Sequence, residues 1–307
     1  MKLLTHESQW RGGDTAVAFG TFDGVHRGHA RLLRAANMLA RRDGLRSVVY
    51  TFSSHPMAVF APERVPPVLH TREEKACAFA LQGVDAAVMR PFDAAYAAQT
   101  PEEFVRAVAD ALHPRHVVIG FNYSFGRRGE GKARDMVALG EQYGFQTTIV
   151  DAVLEGGEPV SSTRVRAAVE AGDMELAARM LGRGYALCGV VQRGKQLGRQ
   201  LGFPTANLPL PSGKALPPRG VYAARARIDG ETYMAAVNIG RHPTAPGGGA
   251  TVEANLLDYP GGELYGHGMR LELLHQVREE REFASLDALR EEVLLNREQV
   301  RAYFAGL

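Results

Sequence analysis

The chain has 307 residues, 45% of them hydrophobic and 23% charged, and a formal net charge of +2 at pH 7. That length allows two domains, and the composition is that of a folded globular protein rather than a disordered one. A charge so near neutrality excludes a broad nucleic-acid-binding surface.

Met1 to Gln9 lacks the apolar core of a signal peptide, and no run reaches the roughly 18 apolar residues of a membrane helix. A cytoplasmic protein without a membrane partner is expected. The two cysteines, Cys77 and Cys188, stand far apart with no metal-ligand spacing. Buried, inert thiols in a reducing compartment are expected.

The first predicted strand is Ala16–Gly20. It runs into the turn Gly20-Thr21-Phe22-Asp23-Gly24-Val25-His26-Arg27-Gly28-His29, and a helix is predicted over Gly28–Arg42. Strand, glycine-rich turn and helix start form a phosphate-binding arrangement, because the first N–H groups of a helix lack internal partners and carry partial positive charge. Two histidines add donors at that end. Gly20, Phe22, Asp23, Gly24, His26, Gly28 and His29 are therefore candidates for holding the polyphosphate of a nucleotide.

Further strands are predicted at Ser47–Phe52, Ala86–Met89, His116–Gly120 and Thr147–Val150. Helices are predicted between them at Arg72–Leu81, Pro101–Leu112 and Ala133–Tyr143. This α/β alternation predicts a parallel sheet covered on both faces, with ligands beyond the carboxyl ends of its strands. Gly120-Phe121-Asn122-Tyr123-Ser124-Phe125-Gly126 follows one such strand and suits stacking and hydrogen bonding to a flat heterocycle. Ser161-Ser162-Thr163-Arg164-Val165-Arg166 reads as another helix start, where hydroxyls, N–H groups and arginines can hold a polyphosphate.

After Leu181 the pattern changes. Strand-like pieces at Tyr185–Val191, Val221–Ile228, Thr232–Ile239, Thr251–Leu257 and Met269–Val277 alternate with Gly- and Pro-rich clusters. They predict a small antiparallel β-barrel. A terminal helix is predicted from about Ser285, its N-cap, to Phe304, with Leu286, Leu289, Val293, Val300 and Phe304 on its apolar side.

Gly189-x-x-x-x-Gly194-Lys195 imitates a P-loop, but Gln196 follows where a magnesium-binding hydroxyl belongs and no helix pattern follows. Gly202-Phe203-Pro204-Thr205-Ala206-Asn207 is the better signal. Thr205 and Asn207 share one side of an extended segment and offer the hard oxygen donors that suit Mg²⁺ on a nucleotide.

Phe22-Asp23-Gly24-Val25-His26-x-Gly28-His29, Thr51-Phe52 with His55-Pro56, Asn122-Tyr-x-Phe125-Gly126 and Ser161-Ser162-Thr163-Arg164-x-Arg166 resemble the adenylyltransferase module of bacterial bifunctional riboflavin kinase/FAD synthetases. Gly194, Gly198, Arg199, the Gly202–Asn207 segment, Asn238-Ile239-Gly240 and Leu264-Tyr265-Gly266 resemble the riboflavin kinase module of that family. The resemblance covers nearly the whole chain in the expected order. It implies a Rossmann-like nucleotidyltransferase domain over residues 1–183 and a barrel kinase domain with its terminal helix over 184–307. It further implies phosphorylation of riboflavin to FMN by ATP, then transfer of AMP from ATP to FMN with release of pyrophosphate. The alternative is a nucleotidyltransferase for another phosphorylated alcohol with a non-catalytic barrel.

By resemblance, His26 and His29 meet the ATP phosphates while Ser162, Thr163 and Arg164 close over them, with Arg164 catalytic. Asn122 and Phe125 lie by the flavin in the first module. Glu253 is the catalytic base of the second module. Gly194, Arg199 and Tyr265 lie by its ATP, Arg278 and Arg281 by its flavin, and Thr205 and Asn207 at its Mg²⁺. Small-molecule substrates, no nucleic acid, and a monomer or weak homo-oligomer complete the expectation. Lys132, Asn255 and His242 depart from residues usual in relatives.

Overall fold

The computed structural model describes residues 1–194, 202–241 and 250–307. The chain divides into two compact units, Met1–Ser162 and Thr163–Leu307.

In the first unit, β1 (Lys2–Leu4), β2 (Thr15–Phe19), helix α1 (Arg27–Asp43) and β3 (Arg46–Phe52) lead to a single turn α2 (Met57–Phe60). Helix α3 (Arg72–Leu81), β4 (Ala86–Arg90), α4 (Ala94–Ala98), α5 (Pro101–Leu112) and β5 (Pro114–Gly120) follow. The ladder β6 (Ser124–Phe125) and β7 (Gly131–Lys132) precedes α6 (Ala133–Tyr143), β8 (Gln146–Val150), and the ladder β9 (Leu154–Glu155) and β10 (Glu158–Pro159).

The main sheet has the order β1-β4-β3-β2-β5-β8 and is parallel throughout. The alternation of side chains along each strand fills two separate cores. Phe19, Tyr50, Val88 and Ile119 pack under α5 and α6 with Phe104, Leu112 and Met136. Ala18, Val49, Met89 and Val118 pack under α1 and α3 with Leu33, Ala36 and Phe79. Edge strand β1 escapes a sequence reading because three residues carry too little periodicity; pairing of Lys2–Leu4 with Ala86–Val88 defines it. Trp10 belongs to the first core and donates its indole N–H to the Gly13 carbonyl at 3.1 Å.

In the second unit, α7 (Ser162–Glu170, Ser162 belonging to the first unit) and α8 (Met174–Leu181) precede β11 (Tyr185–Val190). They are followed by β12 (Ala206–Asn207), β13 (Gly220–Ile228), β14 (Glu231–Arg241), β15 (Ala250–Leu256) and β16 (Gly268–Glu279). The order is β11-β16-β13-β14-β15-β12, antiparallel throughout. One bridge between Gln192 and Asn207 links the two ends of this sheet, so the expected barrel closes through a single pair. Small residues such as Ala224, Ala226, Ala235 and Ala254 fill its narrow interior beside Tyr185 and Tyr222.

The C-terminal helix spans Leu286–Ala305, and Ser285 accepts the Ala288 N–H as its cap. Its expected apolar side holds at Val300 and Phe304 and needs correction at the helix start. Leu286 is 56% exposed, and the buried positions are Glu292, Asn296 and Val300. Val300 meets Ala223 and Leu257 on the outer face of the sheet, while the two polar residues meet arginines. The cysteines also need correction, because Cys77 is exposed on α3 and Cys188 half-buried. No helix among the described residues is long and apolar enough to cross a membrane.

Candidate active sites

In the first unit a cavity of about 570 Å³ opens at the carboxyl ends of β2, β3, β5 and β8, lined by Phe19, Phe52, Gly120 and Val150 among others. The sheet order reverses at β2, so the cavity occupies the topological switch point where such sheets bind ligands. Its size falls in the usual range of small-molecule sites.

One end of the cavity is built by the turn after β2. Phe22 and Val25 both have left-handed backbones, φ +51° and +40°. Such geometry in a β-branched residue costs on the order of 1–3 kcal/mol and persists only where its surroundings enforce it. Phe22 is fully buried against Phe79 and the His29 ring. The Asp23 carboxylate accepts the backbone N–H groups of Leu69 and His70 at 3.0–3.1 Å. Phe22, Asp23 and Gly24 therefore support the turn from behind and do not line the cavity. Gly20, His26, Gly28, His29 and Ser162 do line it. A Cβ at Gly28 would lie 3.1 Å from the His26 ring, so the glycine leaves that imidazole uncovered.

His26 is the N-cap of α1 and accepts the His29 N–H at its Nδ1, 3.3 Å away. An accepting Nδ1 leaves the ring proton on Nε2 as a donor. The two imidazoles stack with centroids 3.7 Å apart. The His29 pKa is held well below the usual histidine range, first by burial, then by His26, Lys75 and His70. His29 is thus a neutral donor at pH 7. Its Nδ1 is buried with no protein partner among the described residues. Ser162 Oγ donates to the Asp23 carbonyl at 2.9 Å, tying the start of α7 to this turn. Thr163 and Arg164, the next residues of α7, belong to the second unit.

Much of the remaining lining of the cavity is aromatic. Tyr50, Phe52, Tyr96, Phe104, Tyr123 and Phe125 line it, with Phe60 and Phe121 half-exposed at its rim. Asn122 joins this wall, and Phe125 stacks on Tyr123 with centroids 5.8 Å apart. The other unusual residues near this unit are explained by local bonds. Lys132 Nζ donates to the Gly129 carbonyl at 2.5 Å, and His55 Nδ1 accepts the Met57 N–H at 3.2 Å.

Two groups that the motifs did not flag support this cavity. Lys75 Nζ donates to the carbonyls of Thr21 at 3.0 Å and Phe52 at 3.2 Å, joining the carboxyl ends of β2 and β3. Burial lowers its pKa and the Asp23 charge opposes that shift. The available signal was its spacing: Lys75 lies four residues before the core Phe79, on the same helix face. Glu7 accepts from Tyr50 Oη at 3.1 Å and from Arg90 Nη1 at 3.2 Å, and the Arg90 guanidinium lies over the Tyr96 ring. No local pattern marks Glu7.

In the second unit, strand register assembles a row. Asn207 pairs with Glu253, Glu253 with Asn238, Asn238 with Val221, and Val221 with Arg278. Directly paired residues share a sheet face, so these groups line up across five strands. A shift in register beside Val221 accommodates Arg278 at the end of the row. Thr205 Oγ1 lies 3.5 Å from Glu253 Oε2. A Cβ at Gly194 would fall 2.3–2.4 Å from the Asn207 amide, so that glycine leaves room for the amide group. Tyr265 is half-buried, with the Arg193 guanidinium over its ring. Arg199 and Gly198 lie outside the described residues, as does His242.

Arg278 and Arg281 converge on Glu292 of the C-terminal helix. Arg278 Nε lies 2.9 Å from Glu292 Oε1 and also donates to Asn296 Oδ1 at 3.1 Å; Arg281 bonds the other carboxylate oxygen. Phe283 lies under both guanidinium groups. Glu292 was not legible as a site residue, because on the sequence it reads as a solvated helix position.

A family model described as FAD synthetase matches residues 8–164, and one described as riboflavin kinase matches residues 181–304. The bifunctional riboflavin kinase/FMN adenylyltransferase of Listeria monocytogenes is 35% identical over 97% of this chain and 95% of its own length. That of Bacillus subtilis is 33% identical over 95% and 93%, and that of Escherichia coli strain K12 36% over 94% and 92%. A solved structure described as a macrolide-efflux protein from Streptococcus pneumoniae shares 29% identity with a TM-score of 0.86, covering 97% of this chain and 98% of that one. Both modules, in this order and over nearly the full length, make the chain a member of the bifunctional riboflavin kinase/FMN adenylyltransferase family.

Proposed function

We propose that this chain carries out two consecutive transfers, with the kinase assigned to residues 184–307 and the adenylyltransferase to residues 1–183. In the first, the primary alcohol of riboflavin attacks the γ-phosphorus of ATP. The new O–P bond forms as the bond to ADP breaks, and the alcohol proton passes to the Glu253 carboxylate. In the second, a phosphate oxygen of FMN attacks the α-phosphorus of a second ATP, forming FAD as pyrophosphate leaves. That nucleophile is already ionised at pH 7 and needs no base.

His26 and His29, with the start of α1, donate to the phosphates, and Ser162 completes that end. The observation that carries this reading is the cavity itself: an end with two stacked imidazoles at a helix N-terminus joins a wall rich in flat aromatic surfaces. We assign the flavin ring to that wall beside Asn122 and Phe125. In the kinase module Gly194, Arg199 and Tyr265 serve ATP, and Arg278 and Arg281 serve the flavin.

The donor set of the second site fits Mg²⁺. Thr205 hydroxyl and Asn207 amide oxygens are hard ligands beside the Glu253 carboxylate, under a glycine that leaves them room. Thr205 and Asn207 would hold the ion, which when bound neutralises charge on the ATP phosphates. Nucleotide substrates and two cysteines that form no disulfide fit a cytoplasmic enzyme. A monomer or weak homo-oligomer remains the expectation, checked by analytical ultracentrifugation.

With riboflavin, ATP and Mg²⁺ the purified protein yields FMN and then FAD, resolved by chromatography. Absence of both products overturns the reading; FAD from supplied FMN without any FMN from riboflavin would favour the non-catalytic barrel. Lys75→Met should lower FAD formation by about 10²-fold while FMN formation holds, because freeing the Thr21 and Phe52 carbonyls misplaces the phosphate turn. Unchanged FAD formation in that variant removes Lys75 from the site.

A further inference from the structure

We propose that Asn255 and Arg297 are positioning residues of the kinase site, holding the segment that carries Thr205 against the strand that carries Glu253. The inference rests on the reading of Thr205, Asn207 and Glu253 given above, and it adds a dependence of that site on the C-terminal helix.

Strand β12 has only two residues, so the backbone just before it has few ladder bonds to fix it. Pro204, immediately before Thr205, has no N–H to contribute. Its carbonyl is therefore the group by which the 204–205 peptide can be anchored. Asn255 Nδ2 donates to that carbonyl at 3.0 Å. The carbonyl belongs to the same planar peptide as the Thr205 nitrogen, so this bond sets how Thr205 leaves the turn.

Asn255 is itself oriented. It is 5% exposed and lies two residues beyond Glu253 in β15, on the same sheet face. Its Oδ1 accepts from Arg297 Nη1 at 2.6 Å. Arg297 comes from the C-terminal helix and also lies over the Phe203 ring, 5.7 Å from its centroid. One amide thus receives a charged donor and passes on an N–H, and one arginine holds both the amide and the residue before Pro204. A residue at position 255 must donate to Pro204 and accept from Arg297, which an amide does in one orientation and a neutral imidazole does through its two nitrogens.

Groups that orient metal ligands typically change metal affinity or activity by about 10–100-fold when removed. Asn255→Ala should therefore raise the Mg²⁺ concentration for half-maximal FMN formation by about 10-fold or more. Asn255→Asp keeps the acceptor for Arg297 but loses the donor to Pro204, and should behave like the alanine variant. Asn255→His should stay within a few-fold of the parent. Arg297→Met should show a weaker form of the alanine defect. FAD formation from supplied FMN is measured alongside and should not change.

A readout free of turnover is hydrogen–deuterium exchange in metal-free protein. Peptides spanning residues 202–207 should exchange faster in Asn255→Ala and Asn255→Asp than in the parent. Unchanged Mg²⁺ dependence with unchanged exchange overturns the proposal, as does a uniform loss of rate with a lowered melting temperature and no change in Mg²⁺ dependence. Glu253→Gln serves as the control for the underlying reading. Full FMN formation by that variant overturns the site assignment and the proposal together, whereas loss of FMN formation there with a silent Asn255→Ala overturns the proposal alone.

Discussion

Glu253→Gln should lower FMN formation from riboflavin by about 10²–10⁴-fold, the usual contribution of a positioned base, and leave conversion of supplied FMN to FAD unchanged. The side chain keeps its size and its place in the Asn207–Glu253–Asn238 row, but an amide cannot take the alcohol proton. Thr205 at 3.5 Å can hydrogen-bond either group, so local packing should persist, which a melting curve checks. Both reactions are read in one preparation by flavin chromatography. A residual kinase rate within a few-fold of the parent removes Glu253 from proton transfer. An equal fall in both reactions in a folded variant would defeat the division of labour between the modules.

The first site was legible because its main parts are contiguous in sequence. Gly20 to His29 lies between a strand and a helix whose periods are plain, and the cavity opens where that order predicts. What sequence could not sort was which residues face the cavity. Phe22 and Asp23 look like binding residues but turn inward, because Phe22 takes a left-handed backbone and Asp23 anchors the Leu69–His70 backbone. Glu7 and Lys75 were hidden for the opposite reason: each acts through partners at least 20 residues away.

The second site depends on strand register, which no local pattern gives. Glu253 reads alone as a surface carboxylate in an alternating strand. Only the pairing of β12, β15, β14, β13 and β16 puts Asn207, Glu253, Asn238 and Arg278 in one row. The C-terminal helix departs from its apolar pattern in part, for a related reason. Hydrophobic periodicity puts Leu286, Leu289, Val293, Val300 and Phe304 on its inner face; Val300 and Phe304 do pack there, but toward Arg278 the buried residues are Glu292 and Asn296. A buried carboxylate facing two arginines is stable only as a set, so removing Glu292 alone would leave uncompensated charge.

His29→Ala should reverse the selectivity of the Glu253 variant: FAD formation from FMN falls by about 10²–10³-fold while FMN formation holds. The expected size is that of one lost donor to charge developing in a transition state. His29 suits this role because burial and its neighbours keep it neutral, so it offers an N–H without taking a proton from solvent at pH 7. The same neutrality has a stability consequence that separates His29 from an ordinary surface histidine. Its folded pKa lies below the unfolded value of 6.5. Between the two values the unfolded chain binds a proton that the folded chain refuses, so stability falls as pH drops below about 6.5 and levels off beneath the folded pKa. Above the unfolded value this contribution is fully present. Denaturant unfolding of the parent between pH 7.5 and about 5 should show that loss, and His29→Ala should show a shallower slope in the same window. If the slopes coincide, His29 is not buried as a neutral group. If FAD formation also survives the substitution, the phosphate end of the cavity works without it, and transition-state stabilisation there falls to His26 and the N-terminal end of α1.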